Sequence, residues 1–155
     1  MAPKTSVKLG YTFNKANEEA VAWAQSHAGE LVKGITKTTR KEIQSVIGDL
    51  MEGDASWKEV WKELGDIFDD PERVKRIAHT EAMFAANEGQ KALWDQAVAD
   101  GYLTGDEEMV WIVTPDDKLC EICEALGDTT VPLGDEFPDG GPPAHPDCRC
   151  TIGIA

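Results

Sequence analysis

Three observations predict an α+β fold. Up to about residue 100, apolar side chains recur at three- and four-residue steps, the period of an amphipathic helix. After Gly101 the texture changes to a short β-branched run and a Gly/Pro-rich loop. All four cysteines and one of three histidines then fall between Cys120 and Cys150. The expectation is four to five helices, then a small β-hairpin and a loop tethered through the Cys/His cluster. In this reading residues 1–14 are a loose lead-in without periodicity. Residues 15–155 are a single domain, with a helical part over 15–101 and a Cys/His-rich part over 102–155.

Each element has its own signal. A first helix over 15–35 follows from Ala20, Val21, Ala24, Ala28, Leu31 and Ile35, widened by Trp23 and Val32, with Gly34 ending or bending it. A second, about 37–51, presents Ile43, Val46, Ile47 and Leu50, with Thr36 as N-cap and Gly53 as its break. Ser56-Trp57-Lys58-Glu59 reads as a capping box, in which hydroxyl and carboxylate satisfy each other's orphan backbone N–H groups. The short helix it opens carries Trp57, Val60, Trp61 and Leu64, and Gly65 is its expected stop. Asp70 caps the longest helix, about 71–100, with Pro71 at its first position and Gly101 closing it. Val74, Ile77, Ala78, Ala82, Ala85, Ala92 and Ala97 form its packing side, and Gly89 within it implies a close contact. Met109–Val113 is the expected strand and Thr151–Ile154 its partner.

Charge bounds the partners. Net charge is −14. Residues 1–45 hold seven Lys/Arg against four Asp/Glu, a net of +3, and residues 46–155 hold eight against twenty-five, a net of −17. So acidic a segment repels phosphate, which argues against direct nucleic-acid binding and for a basic partner or a plain solvated face. Lys33, Lys37, Arg40 and Lys41 mark a polarised N-terminal side that could face an acidic surface. No run approaches the roughly 18 apolar residues that span a bilayer, and no signal peptide opens the chain. An intracellular origin is expected, where thiols stay reduced and clustered cysteines favour metal over disulfide.

The metal reading rests on spacing. Cys120 and Cys123 sit three apart, as in a zinc knuckle, and His145 and Cys148 repeat that step. Cys150 follows two residues later, on the same face of an extended backbone. Five candidates compete for the four positions of a zinc tetrahedron: Cys120, Cys123, Cys148 and one of His145 or Cys150. A filled tetrahedron is a structural site with one Zn²⁺ per chain. The other readings are a catalytic zinc with Glu121, Glu124 or Asp147 as base, and no metal or a disulfide. The chain lacks both His-Glu-x-x-His and the deaminase order of His-x-Glu before Cys-x-x-Cys, which speaks against catalysis.

Two blocks together resemble one family. The first is Arg76-Ile-Ala-His79-Thr80-Glu81 running on to Asn87-Glu-Gly89. The second is Trp111, then Thr114-Pro-Asp116-Asp-Lys-Leu-Cys120-Glu-Ile-Cys123, then Gly141-Pro-Pro-Ala-His145-Pro-Asp-Cys148-Arg-Cys150. Together they resemble the phage head morphogenesis family, the phage Mu F-like minor head proteins, over most of residues 15–155. The resemblance implies a non-enzymatic minor component of a tailed-phage head, made in the host cytoplasm and carried in the virion. Its implied partners are portal and capsid proteins, and its implied role is head morphogenesis or DNA delivery. The family often has Arg-Thr-Glu where this chain has His79-Thr80-Glu81, so no role for that arginine carries over. Relatives are usually longer at the N-terminus, which suggests a trimmed chain or a compact relative without the portal-binding portion.

Other residues have plainer readings. Glu81 is expected to be buried against Arg73, Lys75, Arg76 or Arg149. His27 reads as packing or solvent, and Trp23, Trp57, Trp61 and Trp94 as core anchors. The rival functions are a zinc-dependent nuclease or hydrolase, a toxin-associated domain, and an adaptor for a basic partner outside the virion.

Overall fold

The computed structural model describes the backbone of residues 10–155 and the side chains from residue 18 onward. The described residues form α1 (Gly10–His27), α2 (Lys37–Glu52), α3 (Trp57–Ile67), α4 (Pro71–Ala99), β1 (Glu108–Ile112), α5 (Glu121–Leu126), β2 (Thr130–Pro132) and β3 (Thr151–Ile154). The α+β architecture is as expected. Most of the 1–14 lead-in lies outside the described residues, and α1 is already helical from Gly10.

Local signals placed the helix ends. Thr36 Oγ1 accepts the Thr39 N–H at 3.1 Å, and Gly53 ends α2 in the left-handed region at φ 86°. Ser56 and Glu59 close a reciprocal box, with the Ser56 N–H donating to Glu59 Oε2 at 2.7 Å. Asp70 Oδ1 accepts the N–H groups of Glu72 and Arg73 at 3.0 and 3.2 Å. Such caps are each worth about 1 kcal/mol, which fixes where a helix starts but not which face turns inward.

Tertiary contact overruled the periodicity in four places. The first helix stops at His27, well short of residue 35, because Gly29 takes φ 81° and turns the chain tightly against α2. A Cβ at Gly29 would lie 3.3 Å from Ile43 Cδ1, so the turn is drawn in by that contact. Leu31, read as part of the packing stripe, is consequently 73% exposed. Gly65 does not end α3, which runs on to Ile67 with Phe68 as C-cap. Trp57 and Trp61 are also not core anchors: Val60 and Leu64 take the inward face of α3, and the two indoles stand 41% and 44% exposed.

Two cores result. Ala20, Ala24, Ile43, Ile47, Val60, Leu64, Val74, Ala78 and Ala85 fill the space between the first four helices. A second cluster joins Trp94, Met109, Trp111, Phe137 and Ile152 to the buried cysteines. His27 is exposed and stacks on Trp23, with ring centroids 5.5 Å apart.

The expected strand pair belongs to a three-stranded antiparallel sheet, ordered β2-β1-β3, with β1 at its centre. β1 pairs β3 with Trp111 opposite Ile152 and Val110 opposite Gly153. A Cβ at Gly153 would come within 2.7 Å of Ile112 Cδ1, so a larger residue there would have to push aside the end of that exposed side chain. β2 and α5 had no sequence expectation, being three and six residues long, too short for a period to register.

Core and stripe can be told apart by substitution. Ile47→Ala, at a fully buried site, should cost about 2–5 kcal/mol in urea unfolding, whereas Leu31→Ala should stay within about 0.5 kcal/mol of wild type.

Candidate metal centre

The five ligand candidates converge in the second core. Cys120 is the N-cap of α5, and its Sγ accepts the Cys123 N–H at 3.4 Å. The helical turn that follows aims both sulfurs at one point. Cys148 and Cys150 sit just ahead of β3 and are buried, as is Cys123, while Cys120 and His145 are half-buried. The His145 Nε2 lies 3.2 Å from Cys120 Sγ and 3.1 Å from Cys123 Sγ, and Cys123 Sγ lies 3.6 Å from Cys148 Sγ. The donors form two overlapping trios, Cys120–Cys123–His145 and Cys123–Cys148–Cys150, each within 4.8 Å. No disulfide is formed.

These distances fit a metal ion. Zinc bonds of about 2.3 Å to sulfur and about 2.0 Å to nitrogen put tetrahedral ligand atoms roughly 3.5–3.8 Å apart. The observed spacings fall within half an ångström of that range. His145 Nδ1 donates to the Pro146 carbonyl at 2.8 Å, which leaves Nε2 as the lone-pair nitrogen facing the sulfurs. A ligating imidazole needs that tautomer. The cavity lined by these residues measures about 30 Å³. That is the size of an ion's site, far below the several hundred Å³ of a ligand pocket.

The thiols are not equivalent. The Cys123 backbone N–H brings the Cys120 thiol down to about 7, with help from His145. Burial works to raise Cys148, but the Cys150 and Ala144 backbone N–H groups outweigh it and hold that thiol below its ordinary value. Burial drives Cys123 well up. It also pushes Cys150 up, opposed by the nearby Trp111 indole N–H, which is buried without a hydrogen bond of strict geometry. Each half therefore holds one thiol biased toward the thiolate that binds metal.

A bidentate ion pair and the turn it braces tie the two halves to each other. Arg149, between Cys148 and Cys150, makes a bidentate pair with Asp116, Nη2 to Oδ1 at 2.6 Å and Nη1 to Oδ2 at 2.5 Å. Asp116 Oδ1 also accepts the Lys118 N–H at 2.9 Å and shapes the turn into Cys120. Arg149 is thus spent on Asp116, not on Glu81 as expected. Glu81 is buried at 4% exposure, and the described salt bridges do not include it. Burial raises its carboxyl, opposed by the Gly29 backbone N–H and reinforced by nearby Glu30. The sequence reading missed Asp116 as a structural partner of the site; its Asx-turn position ahead of Cys120 was the available signal.

The arrangement defines a class: a small α+β protein with a closed Cys/His centre seated between a long helix and a three-stranded sheet. The model of the phage Mu protein F-like family matches residues 27–153, which include every ligand candidate. The chain belongs to that family. Comparison with curated proteins and with solved structures finds no match.

Asp116 provides a pH test. The Arg149 guanidinium, with the Lys118 N–H, holds its carboxyl at about 2. Its folded-state value lies below the ordinary 3.8, so the contact stabilises above that value and fades as pH falls toward 2. NMR titration of the Asp116 carboxyl should show a midpoint near 2, returning toward 3.8 in Arg149→Gln.

Proposed function

We propose that this chain is a structural component of a tailed-phage head, a minor capsid protein of the portal region serving head morphogenesis or DNA delivery. The observation that carries the reading is the family match across residues 27–153, which spans both the α4 segment and the Cys/His centre. Residues 15–155 act as one domain, since α4 contributes to both cores. The partners are portal and capsid proteins, and the location is the virion. Among the described residues no helix is long and apolar enough to cross a membrane. Lys33, Lys37 and Lys41 are exposed, and Arg40 is half-buried.

The centre holds one structural Zn²⁺ on Cys120, Cys123, His145 and Cys148. His145 is preferred over Cys150 because its Nε2 meets two sulfurs at 3.1–3.2 Å and its tautomer is set by Pro146. Cys150 lies in the trio with Cys123 and Cys148 and belongs to the buried cluster that holds Trp111. Four protein ligands close the tetrahedron and leave no position for an activated water, so the chain is not an enzyme.

Three outcomes follow. Elemental analysis of protein purified without added metal should find close to one zinc per chain, kept in Cys150→Ser and weakened in His145→Ala. Less than about a tenth of an equivalent, with all thiols titratable, would remove the metal reading. Cys120→Ser should lower stability by several kcal/mol, because the ligand set exists only in the folded state. In a gradient of phage lysate the chain should sediment with assembled heads and cross-link to portal subunits. Recovery only among free soluble proteins, or metal-dependent cleavage of nucleic acid or peptide lost in Glu121→Gln, would overturn the structural role.

A further inference from the structure

We infer that Thr80 and Asn87, seven residues apart on one face of α4, are positioning residues that hold the His145–Cys150 half of the centre in ligand geometry. The inference rests on the zinc reading above. Residues seven apart in a helix stand two turns apart on the same side, so they can grip one loop at two points. They do so at three points, two on the backbone and one on a side chain. Asn87 Nδ2 donates to the Pro142 carbonyl at 3.1 Å. Asn87 Oδ1 accepts from Thr151 Oγ1 at 2.9 Å. Thr80 Oγ1 accepts the Asp147 N–H at 2.8 Å while donating its own proton to the Arg76 carbonyl at 2.7 Å.

The anchored positions bracket the ligands. Pro142 precedes His145, Asp147 lies between His145 and Cys148, and Thr151 follows Cys150 directly. No candidate ligand in this half is more than three residues from an anchor. The middle anchor sits on the residue that most needs holding: Asp147 has φ 63°, a left-handed conformation that L side chains rarely adopt. The turn runs from His145 to Cys148 and is closed by the Cys148 N–H donating to the His145 carbonyl at 3.2 Å. Asn87 is 2% exposed and satisfied at both ends of its amide, an arrangement that fixes its rotamer. Thr80 is the middle residue of the His79-Thr80-Glu81 motif, and this contact gives it a task. The Cys120–Cys123 half is tied to the same loop from the other side, through Asp116 and Arg149.

Outer contacts of this kind typically change metal affinity 10- to 100-fold when removed. The test is competition of zinc-loaded full-length chain against a chelator, with Co²⁺ substitution to report stoichiometry and thiolate coordination. Thr80→Val, which keeps shape and removes the hydroxyl, and Asn87→Ala should each lose zinc roughly 10- to 100-fold more readily. Both should still bind one equivalent. Thr80→Ser, which keeps the hydroxyl, should retain wild-type affinity. A merely structural role would lower the unfolding temperature at saturating zinc without moving the competition curve, and would not separate Ser from Val at position 80. Wild-type affinity in both Thr80→Val and Asn87→Ala overturns the inference. Should Asn87→Ala fail to fold, Thr80→Val against Thr80→Ser decides alone. A wild-type chain that binds neither Zn²⁺ nor Co²⁺ defeats the metal reading itself and the positioning role with it.

Discussion

Helix α4 is the constraint on which the rest of the molecule depends. Its 29 residues, about 43 Å of helix, are the one stretch that enters both cores. Its N-terminal half packs Val74, Ile77, Ala78 and Ala85 against the other helices, and its C-terminal half brings Trp94 to the sheet. Small residues on the first half allow α1 to lie close, as the complete burial of Ala24, Ala28, Ala78 and Ala85 records. Without α4 the three helices before it would have no floor for their core, and the sheet would lose the wall on which the Cys/His loop rests.

That dependence explains which features were legible in the sequence. Helix starts were readable because a cap is a local contract between a side chain and an N–H two or three residues away. Thr36, Ser56 and Asp70 were therefore placed correctly. Faces were harder. Trp57 and Trp61 stand four apart, and Val60 and Leu64 do too, so periodicity offered two apolar stripes on α3 and could not choose between them. Aromatic size argued for the tryptophans, but packing chose the smaller pair. The end of α1 was expected near Gly34 and falls before Gly29 instead. Both adopt positive φ, and only the approach of Ile43, distant in sequence, selects the first.

The metal centre divides the same way. Spacing picked out the five Cys/His side chains that the fold brings together, because Cys-x-x-Cys and His-x-x-Cys steps are local geometry. Spacing could not rank His145 against Cys150, because that choice turns on non-local facts. These are the nearness of Nε2 to two sulfurs on α5 and the seating of Cys150 among Trp111 and its neighbours. The failed pairing of Glu81 with Arg149 has the same root. An arginine meets the carboxylate whose geometry suits its fork, and Asp116 receives both guanidinium nitrogens from a turn already braced by Lys118.

Charge and closure together bear on what such a centre is for. Residues 46–155 carry a net −17, yet the second core is apolar and its ligand cavity is only about 30 Å³. A reactive metal site needs an open coordination position and a path for substrate. Here the sulfurs of Cys123 and Cys148 are buried, and the half-buried edge is taken by His145 and Cys120. A metal ion bound by these side chains would hold a loop-rich segment in a single shape. An ion that closes two distant half-sites does this where a larger hydrophobic core is not available. Sheet, α4 and the clustered cysteines meet in one buried cluster, and the contacts within it are apolar rather than surface ion pairs.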